Sequence, residues 1–234
     1  MTQGLQLLAL AGVGLGAVAQ SATGMGFSLV AAPALVLWLG PHKGVAVTVA
    51  LATLSSVLPF LRDGRHARPG EVVRLLVPTL LCTPLIALAL RGVDARWLAP
   101  AAGAGVVVAV GVLASGVRWR WLRRPGGAVA AGAASALLNV VGGVGGPPIG
   151  LYAANADWEP ATTRGTLYGF FVVQNIATAL AVGIALPGLA ELAVLALGTA
   201  CGMLLAPRMP AKAVRAAVLG MSLLGGVGLV CGAV

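Results

Sequence analysis

Shifted against itself by 119 residues, the chain lays its Gly24-Met25-Gly26 turn on Gly143-Val144-Gly145, and the register holds to the C-terminus without a gap. The same shift pairs Pro41 with Pro160, Cys82 with Cys201 and Arg96 with Arg215, coincidences less cheap than those of the abundant Ala, Leu, Val and Gly. The chain therefore reads as two copies of one unit, expected at residues 1–117 and 127–234 with a basic linker over 118–126. Duplication inside an apolar chain marks a transporter built from two halves, with its substrate held where they meet.

Hydrophobic residues make up 59% of the chain and charged ones only 9%, which places it in the membrane. Ala17-Val18-Ala19 looks like the cleavage site of a signal peptide, but no Lys or Arg precedes the apolar stretch and its counterpart in the second copy is internal. It reads instead as a membrane segment. The net charge of +9 comes from residues in short loops rather than along one polar face, so no nucleic acid is expected as partner. Cys82, Cys201 and Cys231 have no CxxC spacing and no histidine nearby, and His42 and His66 stand in loops. No metal or cofactor is expected, and without a P-loop or a Ser/His/Asp set an ATP-driven pump or a membrane enzyme is disfavoured.

Apolar runs give five segments per copy. They are Leu5–Ala22, Phe27–Leu39, Val45–Leu61, Val72–Leu90 and Trp97–Ser115, then Gly127–Val141, Pro147–Ala156, Gly165–Leu186, Leu189–Ala206 and Ala211–Val234. Crossing ~30 Å of hydrocarbon takes roughly 20 helical residues, so the third, fourth and fifth of each copy are expected to span. The short second segments, each following a glycine turn, read as half-helices, either re-entrant with their predecessors or incomplete spans. Broken backbone at membrane depth implies a protein-lined or watery cavity.

The basic loops set the orientation. An odd number of crossings per copy inverts the second copy and gathers Arg62, Arg65, Arg68, Arg74, Arg118, Arg120, Arg123, Arg124, Arg164, Arg208, Lys212 and Arg215 on the cytoplasmic side. Only Lys43, Arg91 and Arg96 of the 15 basic residues are left outside. The expected fold is thus all-α and polytopic, with two inverted repeats of about five helical segments, broken or re-entrant at the glycine turns, and both termini outside.

A carboxamide precedes each turn at the same place, Gln20 in one copy and Asn139 in the other. Thr23, Gly24, Gly26 and Ser28 surround the first turn, and Gly143, Gly145, Gly146 and Pro147 the second. A helix N-terminus in low dielectric offers free N–H groups and partial positive charge, so two of them aimed at the midplane would hold an anion without a lysine or arginine. Ser55 and Ser56 in the first long segment, matched by Gln174 and Asn175 in the second, are expected to wall that site or to bond between helices. Tyr152, Asn155 and Tyr168 are weaker candidates for gating or packing. No Asp or Glu falls in mid-span, so a buried carboxylate relay is not expected, and sodium or the substrate's own charge are the coupling alternatives. Gly225, Gly226 and Gly228 fit packing within one chain or within a homo-oligomer equally.

The pattern Gly24-Met25-Gly26-Phe27-Ser28 with Pro33 downstream, repeated as Gly143-Val144-Gly145-Gly146-Pro147-Pro148, resembles the duplicated glycine-proline motifs of the sulfite exporter TauE/SafE family. Phe27 and Ser28 replace the later glycines of the common G-x-G-G-G form, which implies a narrower first turn. The resemblance implies a transporter in a bacterial cytoplasmic membrane whose substrate is sulfite, a sulfonate or a related organic anion. It places Gly24, Gly26, Gly143, Gly145, Gly146 and Pro147 at the substrate site. A passive anion channel and a non-transporting scaffold are the rival readings.

Overall fold

The computed structural model describes residues 2–116, 118–205 and 211–231, and among them every regular element is helical. The first half contains α1 (Thr2–Thr23), α2 (Phe27–Leu39), α3 (Pro41–Asp63), α4 (Pro69–Leu90) and α5 (Ala95–Ser115). The second contains α6 (Pro125–Gly142), α7 (Gly146–Asn155), α8 (Pro160–Val182), α9 (Leu189–Leu205) and α10 (Ala211–Cys231). A 3-10 turn at Arg120–Arg123 lies between the halves. The expected linker is thus shorter at its end, because residues 125 and 126 already belong to α6.

Proline explains most of the boundary differences. Helices α3, α4, α6 and α8 each begin on a proline, whose fixed φ suits the first turn and whose missing N–H leaves no orphan donor there. The apolar pattern starts a few residues later, which is why it placed α3 at Val45 and α8 at Gly165. At its other end α8 stops at Val182 rather than Leu186, because Gly183 takes a φ of 109° and leaves the helix. Five helices, α1, α3, α4, α5 and α8, are long and apolar enough to cross a membrane. Helix α1 therefore joins the spans, whereas α9, with 17 residues, falls short of the length expected for it. The cytoplasmic placement of Arg208 lies outside the described residues, as do the side chains of Arg123, Lys212 and Arg215.

Helices α1 and α2 form a hairpin broken at Gly24–Gly26. Gly16 lies against Phe27 and Gly12 against Val30 and Ala34, so the two run antiparallel and α2 returns beside α1. With 13 and 10 residues, α2 and α7 reach only about 20 and 15 Å, too short to cross alone. Helix α2 thus turns back beside α1 without the length to cross alone.

The helix contacts largely survive exchange of the two halves. The α1–α9 interface, where Gly198 meets the backbone of Gly14, has its counterpart in α4–α6, where Gly132 meets Leu75 and Pro78. The α3–α8 and α5–α10 pairs each map onto themselves. Both of those pairs are antiparallel: Phe60 packs on Gly169 and Asp63 on Gly165, while Gly103 packs near Leu229 and Val106 on Gly226. One asymmetry stands out, since α2 packs closely on α3 through Gly44 and Val36 but α7 barely touches α8. Gly225 and Gly226 pack within the chain, on Pro33 and Val106.

Polar and apolar residues are arranged for a lipid surround. Leu61, Leu81, Leu85, Leu180, Leu197, Leu204 and Leu224 face outward, whereas Gln20, Ser55, Ser56, Ser135, Asn139, Gln174, Asn175 and Thr178 are buried. A multi-pass membrane protein follows. At Gly132 a Cβ would stand 2.6 Å from the Leu75 carbonyl, so Gly132→Val must push α4 from α6. It is expected to cost about 1–3 kcal/mol, read as a lower midpoint of thermal unfolding in detergent, while the same change at Gly111, which faces open space, should leave the midpoint in place.

Candidate functional site

Each turn is tied to a long helix by the carboxamide that precedes it. Gln20 accepts a hydrogen bond from the Phe27 N–H through Oε1 (3.2 Å) and donates through Nε2 to Ser56 Oγ on α3 (2.9 Å). Asn139 accepts from the Gly145 N–H through Oδ1 (3.1 Å) and donates through Nδ2 to Asn175 (3.1 Å) and Thr178 (2.8 Å) on α8. Ser56 and Asn175 are themselves counterparts under the 119-residue shift. The same clamp is therefore built twice, with the carbonyl end capping a turn and the amide end anchored to the adjacent span.

Between the clamps lies a cavity of about 20 Å³, bounded by Gln20, Gly26, Ser28, Leu29, Ala52, Asn139, Gly145, Gly146, Phe171 and Asn175. Gln20/Asn139, Gly26/Gly145 and Ala52/Phe171 are three matched pairs, so both halves supply the wall from equivalent positions. Its volume suits about one water and is smaller than a polyatomic anion needs.

The donors facing this region are mostly backbone. The N–H groups of Gly26, Ser28, Leu29 and Gly146 make no hydrogen bond among the described residues. The two half-helices are not equal, because Pro147 and Pro148 remove two N–H groups from the start of α7 while α2 keeps its own, with the Ser28 hydroxyl added. Gly26 adopts a φ of 116°, which an L side chain rarely reaches. Gly145 is required for space instead: a Cβ there would stand 2.7 Å from Gln174 Nε2 and 3.0 Å from Ser135 Oγ.

Seven of the expected site residues border the cavity: Gln20, Gly26, Ser28, Asn139, Gly145, Gly146 and Asn175. The others lie around it. Ser55 and Ser56 bond back to the Ala52 carbonyl, and Ser56 also receives Gln20. Gln174 donates to Ser135 (2.7 Å), which donates to the Gly145 carbonyl (2.6 Å). This leaves Gln174 Oε1 buried and without a partner beside Gly145. Pro147 starts α7, and Gly143 packs on Thr48. Gly24 packs on Arg164, and Thr23 bonds to the Ala19 and Met25 carbonyls and faces a different, larger space. Sequence reasoning missed Leu29, Ala52 and Phe171; the repeat register applied to the cavity itself would have joined the last two. Tyr168, a weak candidate, donates to the carbonyls of Gln20 and Ser21 and so closes the end of α1.

Two wider vestibules flank the cavity at opposite ends of α8. One, of about 660 Å³, includes Thr23, Met25, Leu29, Arg118, Asp157, Trp158, Thr163 and Arg164. The other, of about 380 Å³, includes Pro41, His42, Val45, Arg91, Val141 and Val182. Pro41/Pro160, Val45/Arg164 and Ala22/Val141 match under the repeat shift, so the vestibules occupy equivalent places in the two halves. Met25 borders the larger vestibule, its sulfur lodged against Gly150 and its Cβ side near Gly146, which bounds the cavity.

The model of the sulfite exporter TauE/SafE family matches residues 8–229. The chain belongs to this family. TauE/SafE proteins are membrane transporters rather than enzymes, so the clamped cavity lies in a transporter of the sulfite and anion exporter class. No curated protein and no solved structure matches the chain. In this TauE/SafE protein, Asn139→Ala is expected to leave the Gly145 N–H and the Asn175 carboxamide short of partners, costing about 1–3 kcal/mol. Thermal unfolding in detergent checks this: the midpoint should fall well below wild type, as it should for Gln20→Ala.

Proposed function

We propose that the protein is a secondary transporter that carries a small oxyanion, sulfite or a sulfonate, through the clamped cavity by alternating access. The observation that carries this reading is a small cavity bounded by equivalent residues of both halves, with an equivalent vestibule toward each end of α8. The antiparallel α3–α8 and α5–α10 pairs support inverted repeats related by an axis in the membrane plane. The basic loops then put the larger vestibule, with Arg118 and Arg164, on the cytoplasmic side and both termini outside.

The anion would be held by the exposed N–H groups of α2 and α7 and by the Ser28 hydroxyl, with the half-helix dipoles favouring negative charge. Gln20 and Asn139 act less as ligands than as the parts that fix where those N–H groups point. Because the cavity is too small for the anion, binding must part the turns, and movement of Met25 off Gly150 opens the cytoplasmic path. A passive channel requires a continuous path, which the constriction at Met25 and the cavity opposes.

Flux of labelled sulfite in proteoliposomes tests the reading. Wild type should show saturable flux and counterflow, and Gly145→Leu, which fills the space between the turn and Gln174, should lose it at least about a hundredfold while still inserting, given that overpacking and lost donors together cost several kcal/mol. Undiminished flux in Gly145→Leu would refute the site, and flux that is non-saturable without counterflow would favour a channel. The orientation is checked by cysteines at His42 and Arg120: an impermeant thiol reagent should reach the first only from outside and the second only from the cytoplasmic side.

A further inference from the structure

We infer that the larger vestibule contains a second anion-binding subsite, centred on Arg164, where the oxyanion docks before or after it occupies the cavity between the turns. This rests on the transport reading above. It is distinct from that site, because Arg164 does not border the small cavity.

Arg164 sits in the second turn of α8 with its backbone against Gly24. Its Nε donates to Asp63 Oδ2 at 3.0 Å, and Asp63, at the end of α3, is only 7% exposed. Arg62 holds the same Asp63 through Nε to Oδ1 at 3.0 Å and through Nη2 to Oδ2 at 3.4 Å, so Oδ2 receives both arginines. Two guanidiniums share one carboxylate, so the cluster keeps one excess positive charge. Among the described residues Arg164 pairs through Nε alone, so the terminal nitrogens of its guanidinium have no protein partner there, and the residue borders the vestibule.

The surroundings make that charge effective. Leu29, Leu113, Leu167 and Val218 line the vestibule, and apolar walls weaken the screening of a charge inside. Arg118, across the same space, pairs with Asp157, whereas Arg164 shares its only carboxylate partner among the described residues with Arg62. Asp63 also fixes the guanidinium plane, so that it is ordered before a ligand arrives. A fixed planar fork with free N–H groups suits two oxygens of a sulfite, sulfonate or carboxylate group. The subsite thus selects for an oxyanion by geometry as well as by charge, and Thr23 and Gly24 connect it directly to the first turn.

Equilibrium binding of labelled sulfite to the purified protein in detergent tests this. Wild type should bind. Gly145→Leu should keep sulfite binding although its flux is lost, and adding Arg164→Gln with Asp63→Asn should then weaken that binding about tenfold or more. The paired neutral changes avoid stranding a buried carboxylate, and their unfolding midpoint controls for folding. Arg164→Lys, which keeps the charge but not the fork, should fall between. The subsite is overturned if Gly145→Leu alone removes all binding from a folded protein, or if binding in that background ignores the Arg164 changes; wild-type flux would survive either result. Failure of wild type to bind or move sulfite would instead overturn the transport reading and the subsite with it.

Discussion

The structure depends on two hydrogen-bonded carboxamides. A chain that breaks its helix at membrane depth exposes backbone groups that lipid cannot satisfy, each at a cost of several kcal/mol. Gln20 and Asn139 remove part of that cost by capping one turn N–H each, and their amide ends tie the turns to α3 and α8. Because α3 and α8 pack on each other in antiparallel register, the two turns are brought to the same level and face one cavity. On the transport reading proposed above, the remaining uncapped N–H groups are what would hold the anion.

On the same reading, this arrangement would let the site be both polar and movable. The turns are held by a handful of hydrogen bonds rather than by continuous helix, so they are the parts of the backbone that can shift without unwinding a span. On the proposed alternating access, Met25 would suit a closure, since a thioether packs adaptably and has no charge to hold an anion. Glycine at position 150 of α7 makes room for it.

Much of this was legible in the sequence, and for identifiable reasons. The apolar runs between glycines, prolines and charges marked the ten α-helices of the described residues, and the segments after the glycine turns are short, as expected. The carboxamides at Gln20 and Asn139 stood out because they occupy matched positions next to the turns, yet their role as clamps needed the partners Ser56 and Asn175, which only the packing of α3 and α8 brings near. Helix starts were misplaced where proline, not apolarity, begins the helix. Ala52 and Phe171 carry no polar signal at all and enter the wall only through register. Asp63 was legible as a segment end but not as buried, because its burial depends on Arg62 and Arg164, the latter a hundred residues away in the other half.

The most direct measurement is the sidedness of access to a cysteine at Ser28, which borders the cavity, in a background without Cys82, Cys201 and Cys231. Membrane-impermeant thiol reagents are applied from either face of oriented proteoliposomes, with and without a small sulfonate such as methanesulfonate. The account predicts labelling from both faces, slowed from both by the sulfonate, because one site is reached alternately through two vestibules. Labelling from one face only, or at a rate indifferent to the anion, would contradict it.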